Sequence, residues 1–327
     1  MEKFIVDHKR LSKILPQLGS IDENALHVVV LYGGMSAERE VSIMSGNVVC
    51  KVMDMMKYRV TPVDMGVDIA EVLRKINPDV VFNALHGPFG EDGCVPGMLE
   101  ILGIPYTHSG VLASAIAMEK VYSQQIFIAN GIKCPKRVII SKGDDLSVEP
   151  IKRPYVIKPT NQGSSLGVEV IFVDDDYDLS QYQFAYSDQA IIEEYIEGHE
   201  IQVAVLADKA IGTLEIVCLK GKRFNDYDCK YKEGYSKHIC PANLPKAAND
   251  KMMKLAEKIH KAIGCKGVTR VEFRYNPKED EAYFLEINTH PGLTLLSSAP
   301  DIIQKNNISF EQFLEILINE AMDSKKQ

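Results

Sequence analysis

The sequence predicts an α/β and α+β protein in three lobes: an open α/β first lobe, a β-rich middle and an α+β third. Three observations predict it. Apolar β-rich runs alternate with amphipathic helical stretches up to about residue 105, the pattern of an open sheet with helical connections. From residue 155 onward short β segments follow one another. A helical stretch, two alternating strands and a last helix then close the chain. At about 150 residues per domain, 327 residues make two or three folding units.

The elements follow in order. Residues 1–25 read as an appendage in which Leu11, Ile14 and Leu15 recur at helical spacing until Pro16 and Gly19 end the helix. The run His27-Val28-Val29-Val30-Leu31-Tyr32 suits a buried parallel strand. Gly33 and Gly34 turn the chain, and Ser36 is the expected N-cap. Val41, Met44, Val48, Val52 and Met55 share one face of a helix over residues 37–56. Strands are expected at 59–63 and 80–85, then a helix at 111–130 closed by Gly131. Further strands are expected at 155–158, 168–173, 190–196, 201–206 and 211–219. A helix at 250–263, capped by Gly264, precedes two strands and a helix at 309–322. The chain divides on this reading into an extension (1–25), a first lobe (26–118), a central subdomain (119–196) and a C-terminal subdomain (197–327).

Composition excludes several classes. With 46% apolar and 25% charged residues the chain is globular rather than disordered. A net charge of −8 argues against nucleic acid or an anionic membrane as partner. No apolar stretch approaches the roughly 18 residues of a membrane helix, and the charged N-terminus has no signal core, so a cytoplasmic protein is expected. Seven scattered cysteines without a CxxC read as reduced thiols, not a disulfide framework or zinc site.

Three stretches carry chemistry. In Pro159-Thr160-Asn161-Gln162-Gly163-Ser164-Ser165-Leu166-Gly167, glycines and serines offer backbone and hydroxyl donors to an anion. Strand-like residues on both sides make it a hairpin flap, with Lys158 placed to meet a phosphate; a ligand-free turn is the alternative. GGMSAE, after the first strand, is not GxGxxG. Next, the runs at 269–275 and 283–289 both alternate, putting Arg270 with Glu272, and Glu286 with Asn288, on one face each. If they pair with Tyr275 opposite Tyr283, Glu272 faces Glu286 and Arg270 faces Asn288. Opposed carboxylates repel unless a cation lies between them, and such oxygen ligands suit Mg²⁺; a solvated charged face is the alternative. Third, His86-Gly87-Pro88-Phe89-Gly90-Glu91-Asp92-Gly93 follows an apolar strand, where open sheets bind ligands. A lone histidine such as His86 is more often a satisfied structural residue than a catalyst.

Together these stretches resemble the ATP-grasp superfamily, and within it the D-alanine–D-alanine ligases. The matching segments are LYGGMSAEREVSIMSG, FNALHGPFGEDGCVPGMLEILGIPYTHSGVLASAIAMEK, YVIKPTNQGSSLGV, EEYIEGHEIQVAVL, FNDYDCKYKEG, HICPA, and GVTRVEF with LEINTHPGLT, in family order from about residue 27 to 300. The resemblance implies a three-lobed ATP-grasp architecture and ATP-dependent joining of two D-alanines through an acyl phosphate, for peptidoglycan precursor synthesis. It implies that Glu38 anchors the first D-alanine's ammonium, that Ser164 and Tyr231 close loops over it, and that His86 lies beside it. ATP falls to Lys120, Lys158, Ser165, Glu193, Glu194, Ile196, Glu200 and Lys230. Two Mg²⁺ (or Mn²⁺) fall to Glu272, Glu286 and Asn288. The oxyanion falls to Arg270 and the backbone of Gly292, and the second D-alanine to Ser297 and Ser298. A homodimer is implied as well. Two positions depart from the family: Glu272 stands where Asp is common, and Ser298 where a larger apolar residue is usual. Tyr231 favours a dipeptide product over a depsipeptide. Joining to D-serine or D-lactate, or nucleotide binding without catalysis, are the competing readings.

Overall fold

The computed structural model describes residues 25–225, 229, 232, 234–294 and 297–324; the expected helix within 1–25, Lys230 and Tyr231 lie outside them. In chain order come β1 (His27–Tyr32), α1 (Arg39–Met53), β2 (Arg59–Asp64), α2 (Ile69–Ile76), β3 (Val80–Asn83), α3 (Cys94–Leu102), α4 (Val111–Met118) and α5 (Lys120–Ala129). Next are β4 (Arg137–Ser141), β5 (Tyr155–Pro159), β6 (Glu169–Ile171), β7 (Gln189–Glu194), β8 (His199–Leu206), β9 (Lys209–Cys218) and β10 (Ser236–Ile239). The chain ends with α6 (Lys246–Ala262), β11 (Val268–Asn276), β12 (Glu281–Asn288), α7 (Ser298–Lys305) and α8 (Phe310–Ser324).

β1 lies between β2 and β3 in a parallel sheet. Its residues Val28 to Leu31 are fully buried because helices cover both faces, each side chain contributing about 1.5–3 kcal/mol. Val28 and Val30 meet Val49 and Met53 of α1 and Phe313 and Leu314 of α8. Val29 and Leu31 meet Val72 and Leu73 of α2 and Leu99 of α3.

Two local expectations are corrected here. Ser36 is not the cap of α1; Glu38 takes that place. The Ser36 hydroxyl instead accepts the Glu38 N–H (3.1 Å) and donates to the His86 carbonyl (2.6 Å), tying the two loops together. The single helix expected at 111–130 breaks at Glu119, whose ψ of 95° is extended. The break lets the Lys120 N–H donate to the Thr160 carbonyl at 2.9 Å.

β4, β7, β5 and β6 form a four-stranded antiparallel sheet. β5 pairs with β6, so the serine–glycine segment is the tip of a hairpin, as its flanks predicted. β10, β9, β8, β11 and β12 form the third sheet. On it Arg270 faces Asn288 and Glu272 faces Glu286. Tyr275, however, faces Ala282 rather than Tyr283, because the register shifts after Glu272. Leu285 is the extra residue, a β-bulge that leaves the Glu272 end of the pairing intact.

One face of this sheet positions the site. Val203, Val205, Val271, Phe273 and Phe284 pack on α6 and on Phe127 of α5. The opposite face begins apolar with Leu206, Ala204 and Val268, packed toward the first sheet and α7. Further along it turns polar at Gln202, Glu200, Arg270, Glu272 and Glu286, which are cross-strand neighbours.

Candidate active site

Two clefts adjoin on that polar face, enclosing about 750 and 830 Å³ with their open mouths included, room for small-molecule ligands. Glu38, His86, Gly163, Ser164, Arg270, Asn288, Gly292, Ser297 and Ser298 line the first. Lys120, Lys158, Ser165, Glu193, Glu194, Ile196, Glu200 and Glu272 line the second. Glu286 and Asn225 line both.

In the first cleft, Glu38 caps α1 and is buried. Its Oε1 accepts a hydrogen bond from the Ser164 hydroxyl of the hairpin tip. Its Oε2 is buried with no hydrogen-bond partner among the described residues. Gly87 and Gly163 make room for it: a Cβ on either would lie 2.7 or 3.0 Å from that oxygen. A buried carboxylate oxygen of this kind is costly until a donor, best a cationic one, meets it.

His86 sits beside Glu38 but offers no free nitrogen. His86 Nε2 lies 2.9 Å from Ser45 Oγ, which also accepts the Leu293 N–H at 3.2 Å. His86 Nδ1 lies 3.1 Å from Glu91 Oε1. Burial pushes the Glu91 carboxyl above its usual range, with the His86 hydrogen bond opposing. The ring links Ser45 of α1 to Glu91 of its own loop, and Ser45 in turn holds the Leu293 N–H, which is a positioning task.

The second cleft is lined by apolar Val156, Val170, Tyr195, Phe224 and Leu285 and by charged groups of both signs, two buried lysines among them. Lys158 pairs with Glu193 at 2.5 Å, and Gln124 donates to the other Glu193 oxygen at 3.3 Å. Lys120 donates to the Gln162 carbonyl at 2.6 Å and pairs with Glu286 at 3.2 Å. Glu200 accepts from Asn225 Nδ2 at 2.7 Å. Arg274 donates to the Ile196 carbonyl and the Tyr195 hydroxyl, both at 3.0 Å, bracing the turn between β7 and β8.

The metal-type set lies where the clefts meet. Glu272 accepts two bonds from Arg270, at 2.9 and 2.5 Å, while Lys120 neutralises Glu286. Asn288 Oδ1 accepts the His290 N–H at 2.6 Å. Among the described residues no three His, Cys, Asp or Glu gather as a metal site. Two carboxylates and a carboxamide offer hard oxygens of the kind that suits Mg²⁺, whose shell water and phosphate oxygens would complete.

Sequence reasoning left out Gln202, Asn225, Arg274, Tyr195, Phe224 and His238, all lining the clefts. Arg274 was within reach, since period two places it on the face of Arg270 and Glu272. The others follow from no spacing or charge rule, although Tyr195, Gln202, Phe224, Asn225 and His238 all fall within the segments that resemble the family.

Comparisons with known proteins agree with this geometry. The family model described as "D-ala D-ala ligase N-terminus" matches residues 27–70 and 67–109, and "D-ala D-ala ligase C-terminus" matches 112–319. A D-alanine–D-alanine ligase of Rickettsia bellii (strain OSU 85-389) is 52% identical over 300 residues, 92% of this chain and 93% of that protein. The crystal structure of a Bacillus anthracis D-alanine–D-alanine ligase superposes with a TM-score of 0.81 at 31% identity, over 92% of this chain and 99% of that one. The same enzyme complexed with ATP gives 0.80 at 31%, over 93% and 99%. The three-sheet arrangement described above is therefore an ATP-grasp fold. The chain belongs to the D-alanine–D-alanine ligase family.

Proposed function

We propose that this protein joins two D-alanines into D-alanyl-D-alanine at the expense of ATP, releasing ADP and phosphate, as a step in peptidoglycan precursor synthesis. The observation that carries this reading is the meeting of two clefts at Glu286. One cleft ends in a buried carboxylate oxygen awaiting a cation; the other is lined by buried lysines and apolar side chains.

A carboxylate resists amine attack because oxide is a poor leaving group. Transfer of the γ-phosphoryl onto the first D-alanine gives an acyl phosphate, from which phosphate departs readily. Glu38 holds that substrate's ammonium, and Ser164 fixes the Glu38 carboxylate. Lys120 and Lys158, with Lys230, meet the phosphates; Ser165, Glu193, Glu194 and Ile196 hold the nucleotide, and Glu200 accepts from the ribose hydroxyls. The work at this step is positioning and electrostatics. Glu272, Glu286 and Asn288 would hold two Mg²⁺ or Mn²⁺, which when bound screen phosphate charge. Arg270 and the Gly292 N–H face the oxyanion of the second step, and Ser297 and Ser298 flank the second D-alanine. Closure of the hairpin tip with the Tyr231 segment keeps water from the acyl phosphate. Among the described residues no helix is long and apolar enough to cross a membrane. A cytoplasmic homodimer completes the proposal.

ADP release is expected only when D-alanine and Mg²⁺ are both present, and ATP, D-alanine and hydroxylamine together are expected to give D-alanyl hydroxamate. AMP and pyrophosphate as products would exclude the acyl phosphate. Phosphate release with D-alanine alone, set against D-alanine plus D-serine or D-lactate, reads the second substrate; preference for D-lactate would refute the dipeptide assignment.

Glu38→Gln is expected to weaken first-substrate binding by about 1.5–3 kcal/mol, roughly 10- to 100-fold in Kd, by loss of a charge-assisted bond. ATP affinity is expected to stay unchanged, because Glu38 lines only the first cleft. Calorimetric titration of each ligand checks this; lost ATP binding with intact D-alanine binding would overturn the Glu38 assignment.

A further inference from the structure

His238 lies in the wall of the first cleft, on β10, across from the helix that begins at Ser298. Its Nδ1 is 3.2 Å from Asp301 Oδ2, on the first turn of α7. The Asp301 N–H in turn meets the Ser297 carbonyl at 3.3 Å, so the carboxylate is fixed relative to the two serines of the second subsite. Both side chains of the pair are about three-quarters buried. A carboxylate at Nδ1 selects the tautomer that carries its proton there and leaves a lone pair on Nε2. No hydrogen-bond partner for His238 Nε2 exists among the described residues.

Resting on the ligase reading above, we propose that His238, held by Asp301, is the general base for the second amino acid. That substrate reaches the site as an ammonium, which has no lone pair with which to attack. His238 Nε2 takes one of its protons and becomes an imidazolium, with Asp301 as countercharge. The free amine then bonds to the acyl carbon; the C–O bond to phosphate breaks, and the departing phosphate carries off the second nitrogen-bound proton. The imidazolium afterwards returns its proton to water. Atoms and charge balance with no further reactant.

The surroundings of the ring set the pH behaviour. Lys305 of α7 also pairs with Asp301, at 3.2 Å. From β9, Ile216 faces His238, and Cys218 shares that face two residues on. Arg270, Glu286, Glu38, His86 and Glu91 line the same cleft. Asp301 is the acid in direct contact with the ring.

The test separates the two half-reactions. Hydroxylamine is uncharged at neutral pH and needs no base, so D-alanyl hydroxamate reports acyl phosphate formation alone. For His238→Gln at pH 7, dipeptide synthesis per second D-alanine is expected to fall about 10²-fold, while hydroxamate stays within about two-fold. The deficit is expected to narrow as pH rises and free amine accumulates. Asp301→Asn is expected to show the same split with a smaller deficit. Parallel loss of dipeptide and hydroxamate in both variants, a deficit independent of pH, or unchanged dipeptide synthesis would each overturn the assignment. No hydroxamate from the unaltered protein would overturn the ligase reading itself, and this proposal with it.

Discussion

Glu286→Gln is expected to lower kcat about 10³-fold or more while the protein stays folded. Glu286 lines both clefts and pairs with buried Lys120 at 3.2 Å, so it stands where the two clefts meet. The amide preserves shape and changes only charge. Lys120 keeps its bond to the Gln162 carbonyl, which limits the loss of stability. What disappears is an anionic ligand at the junction of the clefts. Charge stabilisation of several kcal/mol depends on it, and about 1.4 kcal/mol corresponds to each tenfold in rate. Glu272→Asp is the matched control, because it keeps the charge and restores the residue more usual in the family. On the proposed reading, its shorter side chain would withdraw by one methylene, a change that a water-rich Mg²⁺ shell would tolerate. Steady-state rates at raised Mg²⁺, with thermal melting of each variant, decide the matter. An active Glu286→Gln protein would mean that the facing pair holds no ion that catalysis needs. Equally deep losses in the two variants would mean a site too rigid for this account.

How far the sequence alone reaches is clearest at that same pair. Alternation over 269–275 and 283–289 puts Arg270 with Glu272, and Glu286 with Asn288, on one face each, because period two is a local property of extended chain; Glu272 opposite Glu286 rested on a supposed register that holds only at that end. The same reasoning misplaced Tyr275, since a bulge is set by what each side chain must meet. Phe284 turns into the core against Phe127, while Leu285 turns into the second cleft. The adjacent apolar pair was the only trace of this in the string. The break at Glu119 leaves no trace at all: there is no proline or glycine, and its holding bond comes from Thr160, 40 positions away. Ser36 has the chemistry of a helix cap, but its oxygen accepts the Glu38 N–H just two residues on while its proton goes to the His86 carbonyl, 50 residues away.

The candidate site was legible in a different way. Glu38 and Ser164 are 126 residues apart, and no spacing rule joins them. The order of the family segments placed them in one site, and the hydrogen bond between them is a fact of tertiary structure. Asn225, Tyr195 and Phe224 lie in quoted family segments, but their own residue types name no role, so the fold is what shows them lining the cleft. His86 shows the limit from the other side. It is a conspicuous residue by type and position, yet both its nitrogens are engaged in holding loops.

The second large effect is expected at Arg270, where activity and stability separate. Arg270 donates twice to Glu272, and both side chains are largely buried. Arg270→Met keeps length and removes the guanidinium. The rate of peptide bond formation is expected to fall about 10²–10³-fold, the usual loss for one oxyanion donor. Glu272 is then left as a buried charge without its partner, which destabilises by about 3–5 kcal/mol and lowers Tm on the order of 10 °C. Adding Glu272→Gln removes the uncompensated charge. The double variant is therefore expected to recover most of the lost stability and none of the lost activity. Thermal melts and rates across the four proteins of this cycle measure both effects. Recovery of activity together with stability would show that Arg270 acts only by holding the sheet, and the oxyanion role would have to move to another donor in the first cleft.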